Sequence, residues 1–162
     1  MADRNQLSPG GAIVIGVFSG VVGTIVILIA RGTFGPRHLS DGTPPWVGIA
    51  AGALFVLAGL AIIAGYGIAG GVGADGGLPP DTPRGVRLVQ TVLGFGITAL
   101  LASIASWVAF GAGSRHFRGS GPLIAGPVNE MLGRAVFGIG AVLMWAFMAV
   151  MLVVSINRLR QR

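Results

Sequence analysis

Apolar residues in this chain fall into four long runs, Gly10–Ala30, Trp46–Gly70, Leu88–Phe110 and Ala135–Ser155. Each is about the 20 residues that a helix needs to cross a hydrocarbon layer of roughly 30 Å. No period-two alternation of apolar and polar positions occurs of the kind a membrane barrel requires. Backbone N–H and C=O groups find no water in a bilayer and must pair within their own segment, so each run is expected as a helix. The fold class expected is therefore all-α, a polytopic membrane protein with four transmembrane helices. Residues 1–162 read as a single transmembrane four-helix domain.

The polar residues before the runs carry helix-start chemistry. Ser8-Pro9, Thr43-Pro44 and Thr82-Pro83 each set a hydroxyl before a proline. A hydroxyl there can accept from an unpaired N–H of the first turn, and proline suits the first helical position. Asn129-Glu130 offers the same service to the fourth helix, with a carboxylate where the helix dipole favours one and Arg134 four residues on. The first run is expected to stay in place as a helix. MADRNQLSPG before it has no net positive charge, the run is too long for a signal peptide, and no A-x-A site follows.

Composition sharpens this picture. Hydrophobic residues make up 53% and charged residues 10%, against about 25% charged in soluble domains. So little charge cannot cover a water-facing surface. Absence of cysteine removes disulfides and thiolate metal sites. The net charge of +6 rests on eleven arginines with no lysine, scattered among loops and not gathered into a stripe, which argues against a nucleic-acid partner. Arginine grips phosphate and carboxylate, which makes lipid headgroups natural partners.

With four crossings, Arg4, Arg84, Arg87, Arg158, Arg160 and Arg162 share one side, and Arg31, Arg37, Arg115, Arg118 and Arg134 the other. The near balance gives little positive-inside bias. The acid-free arginine tail next to the fourth run favours cytoplasmic termini.

No Asp, Glu, Lys, Arg or His lies within the four runs, whereas ion and proton pathways place such residues at membrane depth. Both histidines, His38 and His116, fall in loops, which leaves no axial ligand for a haem and no metal-ligand cluster. No nucleophile–base pairing is evident. The expectation is no catalytic residue, no cofactor and no metal. The hydroxyls inside the runs, Ser19, Thr24, Tyr66, Thr91, Thr98, Ser103 and Ser106, are expected to bond back to their own helices, and Gln90 to reach the interface.

Two features remain as candidate sites. Small residues form stripes, Gly16, Gly20 and Gly23 on the first helix and Gly48, Gly52 and Gly59 on the second, with Ala51, Ala58 and Gly65 repeating every seven. Within lipid such stripes mark close helix packing, inside the protein or against another one. Arg37-His38 and Arg115-His116 recur in FGPRHL and FGAGSRHF, each after a helix end on one membrane face. This repetition reflects either two tandem helical hairpins or, more simply, chance plus shared interfacial chemistry. The pairs serve either as interfacial anchors or as a joint contact for a headgroup or a partner. On the fourth helix Met144, Met148 and Met151 share a face, as filler or as a resting surface for a lipid tail, a quinone or a partner helix.

PPWVG (Pro44–Gly48) and WVAFGAGSRHFRGS (Trp107–Ser120) resemble segments of small four-helix proteins of the bacterial inner membrane. That group carries no assigned activity, and the resemblance implies a multi-pass inner-membrane location only. The function expected is a non-enzymatic accessory or structural subunit of a larger integral membrane complex, energy-transducing complexes included. Its partners would be membrane lipids and other integral membrane subunits. The alternative is a small oligomeric transporter or channel. A lipid- or quinone-binding enzyme component ranks third.

Overall fold

The computed structural model describes residues 8–34, 43–72, 77–112 and 127–160. Every regular element among them is helical, in the order α1 (Pro9–Arg31), α2 (Pro45–Ile62), a short π-helix (Ile63–Ile68) that continues α2, α3 (Arg84–Phe110) and α4 (Pro127–Arg160). Four stretches, Pro9–Arg31, Pro45–Ile68, Arg84–Phe110 and Glu130–Val154, are long and apolar enough to span a membrane. The chain is a multi-pass, all-α membrane protein. It divides into two compact units, residues 1–97 and 98–162, with the division inside α3.

The helix starts differ in how their first N–H groups are served. Ser8 behaves as the sequence suggests, its Oγ accepting from Gly11 N at 3.1 Å. The second start is a correction. Pro44, not Thr43, holds the cap position and α2 opens on Pro45 without a side-chain cap, because the two consecutive prolines shift the start by one residue. Thr82 is a correction too. Its hydroxyl is buried with no hydrogen-bond partner among the described residues. The Arg87 guanidinium ties this turn together instead, its Nη2 donating to the carbonyls of Pro79, Pro80 and Thr82 at 3.4, 3.2 and 3.4 Å. α4 begins at Pro127, two residues before Asn129, with proline again at the first position. The Glu130–Arg134 pair does form, at 3.1 Å across one turn.

At the far end of α1, Gly32 adopts the left-handed conformation (φ 78°) and its N–H reaches Ile29 O. Only glycine enters that region freely. The expected continuation of the second helix to Gly70 takes a different form. Its last turn widens into the π-helix, with Ala69 N donating to Ala64 O five residues back. It closes through Gly71 N to Gly65 O and left-handed Gly70. Such widened turns carry one residue more than an α-turn can hold.

In the first unit α1 and α2 pack antiparallel, with Ala12, Gly16, Gly23 and Ala30 of one buried with Ala50, Gly52 and Gly59 of the other. Leu57 of α2 lies where a side chain at Gly96 of α3 would be, 3.3 Å from that position. In the second unit Ala102, Ala105 and Ala109 of α3 and Gly138 and Ala141 of α4 are buried. Large apolar residues point outward, among them Phe18, Val92, Val142, Leu143 and Phe147, as a lipid-solvated surface requires.

Candidate functional site

The glycine stripes resolve into two reciprocal contacts. A Cβ placed on Gly23 would fall on the carbonyl oxygen of Gly52, and one on Gly52 would stand 2.6 Å from the carbonyl oxygen of Gly23. A Cβ on Gly59 would fall on Gly16 O, and one on Gly16 would meet Gly59 O at 2.7 Å and the Ile63 side chain at 2.5 Å. Carbon atoms do not approach backbone oxygen so closely. At these two levels, two helical turns apart on each helix, backbone packs on backbone, the arrangement in which weak Cα–H···O contacts form. Between the levels, Ser19 Oγ donates to Phe55 O at 2.7 Å. That bond corrects the expectation that Ser19 serves its own helix. Thr24, Thr91, Ser103 and Ser106 do bond back four residues, to the carbonyls of Gly20, Arg87, Ala99 and Ala102.

Gly20 differs from its neighbours. Nothing lies within 4 Å of a Cβ built there, although its backbone nitrogen borders Gly59. At 100° per residue, Gly16 and Gly23 project within about 20° of each other, while Gly20 sits roughly 40° to one side. It therefore borders the contact without excluding a side chain. Gly48 is half-buried near the start of α2. Gly65, inside the π-helix, is buried, and a Cβ on it would stand 3.0 Å from Val72 and 3.5 Å from the Gln90 amide nitrogen.

The second unit uses a different chemistry. Trp145 Nε1 donates to Ser106 Oγ at 3.2 Å, while Ser106 donates to Ala102 O at 2.7 Å. A hydroxyl thus relays between an indole on α4 and the backbone of α3. At the end of α3, Arg134 Nη1 donates to Gly111 O at 3.4 Å. The serine was legible only as a self-satisfied hydroxyl, and no sequence signal pairs it with Trp145. The alanine spacing 102, 105 and 109 was a readable sign of a packed face. Met144 and Met148 are half-buried on α4 and Met151 is exposed.

Arg37, His38, Arg115 and His116, the candidate headgroup or partner contacts, lie outside the described residues. Among the described residues no group of three His, Cys, Asp or Glu side chains could hold a metal.

One concavity in the first unit was not anticipated. A cleft of about 430 Å³ opens at the start of α3, lined by Leu78, Pro80, Arg87, Gln90 and Thr91. Arg87, Gln90 and Thr91 fall on one face of α3 because they are three and four residues apart. Arg87 is held by the three loop carbonyls, and Thr91 Oγ1 donates to Arg87 O at 2.9 Å. Gln90 Oε1 is buried and without a partner among the described residues. In the sequence Arg87 enters only the charge balance, because its role depends on a loop fold that no spacing reveals. The chain matches no family model, no curated protein and no solved structure.

Proposed function

We propose that the protein is a non-enzymatic accessory subunit of a larger integral membrane complex, supplying helix packing and a docking face on its two outer loops. The observation that supports this reading is the absence of any Asp, Glu, Lys, Arg or His from residues 10–30, 46–70, 88–110 and 135–155. Proton relays, many ion pathways and most acid–base chemistry rely on such groups at membrane depth. What the spans offer instead is backbone packing at Gly16, Gly23, Gly52 and Gly59 and outward rows of large apolar residues on α3 and α4. Both suit a component that seals and packs. We place it in the bacterial inner membrane with cytoplasmic termini, on the resemblance noted above and on the arginine tail.

Extraction in mild detergent, native electrophoresis and mass analysis of co-migrating chains test the proposal. The expected result is stoichiometric association with other integral membrane chains. Isolation of a homo-oligomer that carries ions when reconstituted into vesicles would contradict it and favour a channel or transporter. Reporter fusions at Arg162 and near Ser40 are expected in opposite compartments, with the one at Arg162 cytoplasmic.

A further inference from the structure

The cleft at the start of α3 has the features of a recognition site for one class of molecule. Its positive element is fixed in advance. Arg87 spends a single nitrogen, Nη2, on the carbonyls of Pro79, Pro80 and Thr82, and Nη1 and Nε take no acceptor among the described residues. A guanidinium held in this way has already lost most of its rotamer freedom, so binding an oxygen anion costs it little further entropy. The first turn of α3 holds no acidic residue, and its unpaired N–H groups add positive potential. Among the described residues of this turn, Arg84 and Arg87 outweigh the carboxylate of Asp81.

The second element is an acceptor without a donor. Gln90 lines the same cleft, and its Oε1 is buried with no partner among the described residues. A buried carbonyl oxygen without a hydrogen bond is costly, and a turn of the Gln90 amide that brings Oε1 to the cleft would let an occupant carrying an O–H or N–H relieve it. The third element is apolar. Leu88 and Val92 flank the cleft face of α3, a quarter turn or more round the helix, with their side chains exposed, at the end of a helix long and apolar enough to cross the membrane. An occupant with hydrocarbon attached would find a surface for it there.

We propose that this cleft binds the headgroup of a phospholipid whose phosphate pairs with Arg87 and whose hydroxyl or ammonium group donates to Gln90 Oε1. The two requirements together define a selectivity. Phosphatidylglycerol offers hydroxyls and phosphatidylethanolamine an ammonium beside the phosphate, so both satisfy Gln90. Phosphatidylcholine carries the same phosphate with a quaternary nitrogen that has no hydrogen to give. The exposed apolar row favours a lipid over free phosphate, which would meet Arg87 but gain nothing from Leu88 and Val92.

The test uses the full chain in bilayers doped with photoactivatable phosphatidylglycerol, phosphatidylethanolamine or phosphatidylcholine, with labelled peptides mapped by mass analysis. Labelling of residues 78–92 is expected to be roughly tenfold stronger with the first two lipids than with the third, the size of one hydrogen bond to a buried acceptor. Gln90→Leu, which keeps the bulk of the side chain and leaves the Arg87 turn intact, is expected to abolish that preference and to spare labelling elsewhere. Arg87→Ala is expected to lower labelling by all three lipids, with helix content checked by circular dichroism. Inorganic phosphate at millimolar concentration is expected not to compete. Equal labelling by the three lipids, a preference that survives Gln90→Leu, or displacement by inorganic phosphate would each overturn the proposal, the last by showing a free-phosphate site.

Discussion

The α1–α2 contact and the contact between the later half of α3 and α4 solve one problem in two ways. In water, apolar faces are driven together. In lipid that drive is gone, and helices associate through close packing and hydrogen bonds. The α1–α2 hairpin relies on closeness. At Gly16 with Gly59, and at Gly23 with Gly52, the space for a side chain is taken by the partner's backbone oxygen. The second unit keeps its helices further apart. A Cβ on Gly138 would meet the Ala109 side chain at an ordinary 3.6 Å, and alanines line the seam. It compensates with polar pins, Trp145 to Ser106 and Arg134 to Gly111. The difference bears on tolerance to change. A backbone oxygen cannot rotate away from an added methyl group, whereas side chains in ordinary contact can adjust.

The largest effect is expected where that contrast is sharpest. Gly23→Leu or Gly59→Leu puts a branched side chain onto a carbonyl and should separate α1 from α2 outright, read as loss of folded protein in membranes. The same replacement at Gly20, which faces open space, should leave the protein level near the parent's. If Gly20→Leu is as damaging as Gly23→Leu, another surface packs on Gly20 and the assignment of the contact is incomplete.

This pair of glycines also marks the limit of what the sequence made legible. Spans, helix class, the Ser8 cap and the Glu130–Arg134 pair followed from run length, capping chemistry and four-residue spacing, all local properties. The stripe Gly16, Gly20 and Gly23 was visible too, but which member excludes a side chain depends on the register of α1 on α2, which is not local. The same holds for Ser19, whose hydroxyl could reach its own carbonyl four residues back or that of Phe55, and for the widening of Ile63–Ile68 into a π-turn. Thr43 and Thr82 misled for a local reason, since each helix starts one residue later than expected, at Pro45 and at Arg84.

Ser19→Ala is the next effect in size. Hydrogen bonds between helices in membranes average about 0.6 kcal/mol and reach about 1.7 kcal/mol, so a loss near 1 kcal/mol is expected in a reversible unfolding assay. Trp145→Phe should cost a similar amount in the second unit, and Trp145→Phe combined with Ser106→Ala little more than either alone, since both delete one bond. Strict additivity would show that Trp145 acts through its ring surface and not through Nε1. The smallest effect is expected at the membrane border. Glu130→Gln removes a partly exposed ion pair and should change stability by no more than about 0.5 kcal/mol.

The central claim is that α1 and α2 are held by backbone contacts with no room for a side chain, and the most direct measurement adds one methyl group at a time. Gly23→Ala and Gly138→Ala alter the two contacts by the same atom, and their unfolding free energies can be compared in the same bilayer. The account requires Gly23→Ala to destabilise by about 2 kcal/mol or more, as overpacking against a rigid neighbour does. Gly138→Ala should be neutral, or stabilising by up to about 1 kcal/mol through helix propensity. Equal losses at the two positions, or no loss at Gly23, would contradict it.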